Sequence, residues 1–146
     1  MMTRSRCIPL VLVAVLALAA PVLAQGTYTP DEEGWVPLFN GENLDGWRLR
    51  HDGDHGWTVE DGILTNTPPS IDLVSTLPLE DIELHVEFRV PQGGNSGVYL
   101  QGRYEIQVGD SFGHELNAGS GGALYSKIVP SENANKPAGE WQTYDI

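Results

Sequence analysis

Cysteine and basic residues are both scarce in this sequence of 146 residues. Its one cysteine is Cys7, so a disulfide framework and a metal site built on several thiolates are excluded. Lys and Arg number 8 against 20 Asp and Glu, which gives a formal net charge of −12. A surface of this charge repels phosphate backbones, and we therefore do not expect a nucleic acid partner.

Long apolar segments are also missing. The longest apolar run, residues 8–20, is shorter than the roughly 20 residues that a transmembrane helix needs. It follows two arginines and is followed by a small-residue pattern ending at Ala24, which is typical of a secretory signal peptide. We expect residues 1–24 to be this signal, residues 25–34 an N-terminal lead, and the protein to be exported to a bacterial periplasm or the extracellular space. An uncleaved anchor is the alternative, but an integral membrane protein is not expected.

The remainder consists of short apolar runs between turn residues, and it has no sustained helical period. This pattern, with 17 Gly and 10 Pro, predicts an all-β sandwich or barrel. Residues 57–66 predict a hairpin, because Asp61-Gly62 accommodates positive φ between alternating runs. Residues 82–91 predict the longest strand, which ends at Pro91 because proline cannot donate a ladder hydrogen bond. Other strands are predicted at 34–39, 72–76, 98–100, 103–108 and from 141 onward.

Two predicted strands carry polar residues at alternate positions. In 103–108 these are Arg103, Glu105 and Gln107, opposite an apolar face that we expect to join the core. Such a stripe is either a solvated face or the lining of a polar site. The strand 82–91 alternates in the same way and presents His85, Glu87 and Arg89. If the two strands are neighbours, their polar faces together line a groove.

Four segments together resemble the bacterial 3-keto-disaccharide hydrolase domain family. They are PLFNGENLDGW, WTVEDGILT, EFRVPQGGNSGVYLQGRYEIQVGDS and GALYSKIVPSENANKPAGEWQTYDI. The resemblance covers residues 35–146 and implies a concanavalin A-like β-jelly-roll sandwich, similar in shape to family 16 glycoside hydrolases. The family domain continues with more strands, whereas this sequence ends inside a strand pattern at Ile146. We therefore expect a truncated chain and an incomplete sandwich.

The resemblance also implies a carbohydrate partner, an oxidised disaccharide or glycoside, whose glycosidic bond is cleaved. A ketone at C3 acidifies the hydrogen at C2, so one general base can form an enolate that expels the C1 substituent before water adds. Glu105 is the candidate base, and Asp110 and His85 are further catalytic candidates. A separate sugar 3-dehydrogenase is expected upstream. The candidate substrate-binding residues are Arg103, Gln107, Glu87, Arg89, Trp57 and His114.

Other functions remain open at this point. A retaining glycosidase needs two carboxyl groups about 5–5.5 Å apart, but Gly109 stands where a second strand carboxylate would follow Glu105. Asp110 has the opposite strand parity and would need a bulge at Gly109 to face the same way. A non-catalytic carbohydrate-binding module would need only stacking aromatic rings and polar edges, and a truncated product without activity is the third alternative. The sequence assigns no cofactor. A divalent cation is a candidate at HDGDH, residues 51–55, although the spacing matches no metal motif and equally fits a solvated turn.

Overall fold

The computed structural model of the protein describes residues 30–146, so the predicted signal peptide at 1–24 lies outside the described residues. In that range the chain forms eight β-strands and no α-helix. Accordingly, none of the described segments is a helix that could cross a bilayer. The chain divides after Pro78 into two compact units. The strands are β1 (Trp47–Leu49), β2 (Trp57–Glu60), β3 (Ile63–Asn66), β4 (Leu73–Ser75), β5 (His85–Phe88), β6 (Asn95–Leu100), β7 (Tyr104–Gly109) and β8 (Gln142–Asp145).

The first unit contains two antiparallel strand pairs, β1–β4 and β2–β3. The β2–β3 hairpin confirms the prediction for residues 57–66. Its two turn residues, Asp61 and Gly62, have φ of 50° and 76°, and two successive positive φ angles match the right-handed twist of the paired strands. The indole N–H of Trp57 donates to the Ile71 carbonyl at 2.7 Å. This bond holds the half-buried ring against the backbone at Ile71.

The predicted strand at 34–39 is wrong. The segment is irregular, because its start is organised by a side chain rather than by a partner strand. Oδ1 of Asp31 accepts hydrogen bonds of 2.9 Å from the backbone amides of Glu33 and Trp35. An Asp side chain that binds nearby backbone amides stabilises a turn and competes with strand pairing.

The second unit contains the pairs β5–β8 and β6–β7, both antiparallel. Two apolar rings pack between β5 and β8, where Phe88 and Tyr144 lie with centroids 4.5 Å apart. The Tyr144 hydroxyl donates to the Gln107 carbonyl at 2.8 Å, so β7 lies on the same face of the β5–β8 pair as these rings. Buried Val90, Val108 and Ala123 complete the apolar interior of this unit.

Side-chain amides fix the long loops that follow β7. Nδ2 of Asn133 donates to the carbonyls of Ser111 at 2.8 Å and of His114 at 3.0 Å. The Ser111 hydroxyl accepts from the Gly121 amide at 2.9 Å, and Asn135 donates to the Gly121 carbonyl at 3.2 Å. These bonds satisfy backbone groups that have no ladder partner, so the loop is ordered without regular secondary structure.

Candidate functional site

The predicted base, Glu105, lies in β7 directly opposite Tyr99 of β6. It is half-buried, and its Oε2 atom accepts a hydrogen bond of 2.7 Å from the Tyr99 hydroxyl. A carboxylate with one oxygen held by a neutral donor has few rotamers available and keeps its other oxygen for a second contact. The position is therefore suited to holding a carboxylate in a fixed direction.

A glycine provides the space that this carboxylate occupies. Gly97 pairs with Gln107, the next residue of the same β7 face. A Cβ atom placed on Gly97 would lie 2.7 Å from Cγ and 2.8 Å from Cδ of Glu105, which is too close for carbon atoms. Since any Cβ there would displace the Glu105 side chain, Gly97 permits the close approach of Glu105 to the strand pair.

Gln107 lies on the predicted polar face of β7 but is only 5% exposed. Its amide has two exclusive orientations. In one, Nε2 donates to Asn95 Oδ1 at 3.0 Å and to the Gly119 carbonyl at 3.3 Å, but the side-chain oxygen then faces only acceptors. The swapped orientation removes this conflict, because Nε2 donates to the Ser96 carbonyl at 2.9 Å and to Glu105 Oε1 at 3.2 Å, so Gln107 completes the contacts of Glu105.

Polar residues of β5 do alternate as predicted, but β5 is not the neighbour of β7. Its hydrogen-bonded partner is β8, so the expected groove between the polar faces of β5 and β7 is wrong. His85 and Glu87 are exposed, whereas Val86 and Phe88 are half-buried. Since β7 lies on the side of the apolar rings, His85 and Glu87 point away from β7. The groove prediction failed because strand neighbours that are far apart in sequence are not specified by alternation.

His85 has a partner that sequence reasoning missed. Its Nδ1 atom lies 2.6 Å from Oδ1 of Asp145, the residue directly opposite in β8. Both side chains are largely exposed, at 45% and 79%. The arrangement orients the imidazole and leaves its second nitrogen free of the pair. In the sequence, this pair is indicated only by the position of Asp145 in the strand predicted from residue 141 onward.

The same outer face of β5–β8 carries an aromatic–cation contact. The Arg89 guanidinium carbon lies 5.2 Å from the centre of the Trp141 ring, within the range of a cation–π interaction. Trp141 is 46% exposed. The ring and the charged head thus form a surface that can contact a flat or polyhydroxylated ligand.

Asp110 and His114 line an open cleft of about 450 Å³. Oδ2 of Asp110 accepts from the Gly93 amide at 2.9 Å, which fixes the carboxylate at the turn between β5 and β6. Glu105 is not among the residues that line this cleft. The complete lining is Pro91, Gln92, Asp110, Phe112, His114, Pro137, Ala138 and Gly139.

The remaining candidates are Arg103, Trp57 and the HDGDH segment. Arg103 is exposed in the turn before β7, and Trp57 belongs to the first unit, where its indole binds the backbone. In HDGDH, His55 Nδ1 accepts from the Trp57 amide at 3.2 Å, and His51 Nδ1 contacts the Asp52 carbonyl at 3.1 Å. Across residues 30–146, no three His, Cys, Asp or Glu side chains come together as a metal site.

Comparison with known proteins identifies the family. Residues 34–146 match the family described as 3-keto-alpha-glucoside-1,2-lyase-like domain. This match spans most of the chain. The chain belongs to this family.

Individual relatives agree with that assignment. A curated 3-keto-disaccharide hydrolase of Bacteroides thetaiotaomicron is 27% identical over 153 residues, covering 80% of this chain and 53% of that protein. Two solved structures from Parabacteroides distasonis, each titled a "putative glycosyl hydrolase", are also similar. One has a TM-score of 0.66 and 34% identity, covering 74% of this chain and 50% of that one. The other has a TM-score of 0.62 and 26% identity, covering 73% and 59%.

These likenesses confirm the predicted fold class, an all-β chain of the concanavalin A-like jelly-roll type. The chain spans about half the length of the relatives that it matches. Three contacts of the candidate site were not predicted from the sequence, namely those of Tyr99, Gly97 and Asp145. The contacts of Tyr99 and Gly97 were predictable, because both residues lie at alternate positions in the strand that precedes the turn before Glu105.

Proposed function

We propose that this chain belongs to a carbohydrate hydrolase that cleaves the glycosidic bond of 3-keto-disaccharides or related 3-keto-glycosides, with Glu105 as the general base. The observation that carries the proposal is the Glu105 carboxylate, held by Tyr99 at 2.7 Å in the space left by Gly97. The family and the printed name of the Bacteroides relative support the substrate class.

In the proposed reaction Glu105 removes the proton at C2 of the oxidised sugar. The electron pair of that C–H bond forms the C2–C3 double bond, and the former ketone oxygen becomes an enolate. The enolate then restores the C3 ketone, its C2–C3 electron pair forms a C1–C2 double bond, and the C1–O bond breaks. The leaving oxygen takes up the proton that Glu105 removed. Water adds to C1 and a proton returns to C2, so the net change is hydrolysis. Only one base is needed, because the ketone rather than a second carboxylate provides the activation.

The surroundings of Glu105 suit a base better than a glycosidase nucleophile. A retaining mechanism uses a second carboxyl group at about 5–5.5 Å, whereas the groups bonded to the Glu105 carboxylate are the Tyr99 phenol and the Gln107 amide. Tyr99 donates to one oxygen, and Gln107, in one of its orientations, donates to the other. Arg103 lies in the exposed turn two residues before Glu105, and we assign it to the developing enolate oxygen.

A proton NMR time course tests this function. Wild-type protein is mixed with a 3-keto-disaccharide and, separately, with the same disaccharide unoxidised. We expect loss of the anomeric signal of the keto substrate alone, and its retention with Glu105→Gln. Glu60→Gln, an exposed substitution in β2, is the matched control and should react like the wild type. Equal consumption by Glu105→Gln would remove Glu105 from the mechanism.

A non-catalytic carbohydrate-binding module is the second candidate, because Trp141 is an exposed indole beside the Arg89 guanidinium. A module would bind the unoxidised disaccharide and consume neither substrate. In the same NMR experiment, saturation transfer to an intact disaccharide without any turnover, lost in Trp141→Ala, would favour this function over the hydrolase.

A further inference from the structure

We propose that the cleft around Asp110, Phe112 and His114 is a binding site for a neutral sugar ring, separate from Glu105. The inference adds a second ligand site and does not require the turnover proposed for Glu105. The volume of the cleft, about 450 Å³, falls within the usual 300–1,000 Å³ of small-molecule sites.

The aromatic ring of Phe112 is the first reason. It is 52% exposed, although the adjacent Ser111 and the nearby Ser120 are buried. An apolar ring left at a polar cleft wall gains stability when a flat apolar surface covers it. The C–H face of a pyranose is such a surface, and its hydroxyl groups point outward toward the polar wall.

The polar wall provides the matching groups. The Asp110 carboxylate is fixed by the Gly93 amide at 2.9 Å and can accept hydrogen bonds from two neighbouring hydroxyls. The Gln92 amide and the His114 imidazole line the same cleft and provide donors and acceptors. This combination of one ring with a few directed polar groups is typical of sites that orient small polar ligands.

The cleft is built before any ligand arrives. Asn133 Nδ2 holds the carbonyls of Ser111 and His114, on either side of Phe112, at 2.8 and 3.0 Å. A pre-ordered wall loses less conformational entropy on binding than a mobile loop. The Phe112 position is therefore set by the fold.

Charge selects the class of sugar. A carboxylate lines the cleft, and the whole sequence has a formal charge of −12, so an anionic sugar would meet like charge.

Asp110 follows Glu105 by five residues, which is about 16 Å along an extended strand. A ring seated in the cleft is consequently not the ring that Glu105 would deprotonate, but a further unit or a separate ligand.

Saturation-transfer NMR with maltose and with glucuronate tests the site. We expect transfer to maltose, weaker transfer to glucuronate, and a loss of maltose affinity of about fivefold or more in Phe112→Ala. Trp35→Ala, which removes an exposed ring in the first unit, is the matched control and should bind like the wild type. Amide dispersion verifies folding. If Phe112→Ala unfolds, His114→Ala serves as the second variant with the same expected direction.

The outcomes separate this inference from the proposed function. Glu105→Gln should lose turnover of the keto substrate and keep maltose binding. Absence of transfer to maltose in the wild type, or unchanged affinity in a folded Phe112→Ala or His114→Ala, overturns the cleft and leaves Glu105 untouched. A wild type that binds maltose in the cleft but consumes no keto substrate overturns the hydrolase function alone.

Discussion

The Tyr99 hydroxyl donates a hydrogen bond of 2.7 Å to Glu105 Oε2, and the two residues are direct cross-strand partners in β6 and β7. The bond links two strands that are joined by a short turn, so the relative position of its atoms is set by hairpin register. A shift by one residue would move both side chains to the other face. The direction of the carboxylate is thus a property of the hairpin.

Removing the Tyr99 hydroxyl should weaken catalysis while leaving the hairpin folded. In Tyr99→Phe the ring remains, but Glu105 loses a donor to its charged oxygen, and such bonds are worth about 1.5–3 kcal/mol when buried. Because Glu105 is only half-buried, we expect a smaller effect, a fall in kcat of about tenfold. Steady-state kinetics on the 3-keto-disaccharide measure it. Tyr104→Phe, which removes an exposed hydroxyl in the same hairpin, is the matched control; equal kcat values in the two variants would argue against a positioning role for Tyr99.

A methyl group at Gly97 should displace the carboxylate. The added Cβ would meet Cγ and Cδ of Glu105 at 2.7 and 2.8 Å, so the side chain must move, and misplacement of a reacting group by about 1 Å can cost about 100-fold in rate. We expect Gly97→Ala to lower kcat by that order.

Gly109→Ala is the control for that change. Gly109 lies in β7 as well, but its Cβ would meet neighbouring atoms only at 3.8 Å or more, so activity should stay near wild type. Thermal unfolding of both variants shows whether any loss is structural. A fully active Gly97→Ala would mean that the Glu105 position is not critical.

Tyr144 should make the protein less stable at alkaline pH. Burial raises the pKa of Tyr144 above its ordinary value of 10.0, and this outweighs the Gly122 backbone hydrogen bond, which lowers the pKa. Above pH 10 the unfolded chain releases the phenol proton while the folded chain keeps it, so the stability contributed by the neutral phenol is present below pH 10. It is lost as pH rises through the folded pKa.

Urea unfolding between pH 8 and pH 11 measures this dependence. Tyr144→Phe removes the hydrogen bond to the Gln107 carbonyl and should lower the free energy of unfolding by about 1 kcal/mol at pH 8. It should also flatten the decline above pH 10. A decline as steep as that of the wild type would assign the alkaline transition to other groups.

Local sequence signals predicted the hairpins well. The Asp61-Gly62 turn and its two strands were expected from residues 57–66 because both signals, the turn chemistry and the alternation, lie within ten residues. The strand containing Glu105 was also predicted, and β7 begins and ends within one residue of the expected limits. The strand predicted at 34–39 did not form, because a turn stabilised by the Asp31 side chain lies at its start.

Pairing between distant segments could not be predicted in this way. His85 and Asp145 are 60 residues apart, and alternation within β5 identifies its polar face without naming the strand beside it. Gln107 was expected on a polar groove face, but the loop at Gly119 covers it. The Asn135 amide holds the nearby Gly121 carbonyl, and such a contact has no periodic signature.

The central claim is that Glu105 removes the proton at C2, and deuterium incorporation tests it most directly. The reaction of the 3-keto-disaccharide is run in D₂O, with a protein-free sample to measure spontaneous exchange, and the product is read by proton NMR and mass. Elimination followed by hydration predicts that wild-type product carries solvent deuterium at C2, and that Glu105→Gln forms neither product nor exchanged substrate above the protein-free rate. Wild-type product that retains its original C2 proton would contradict the account, because the bond would then have been cleaved without a base acting at C2.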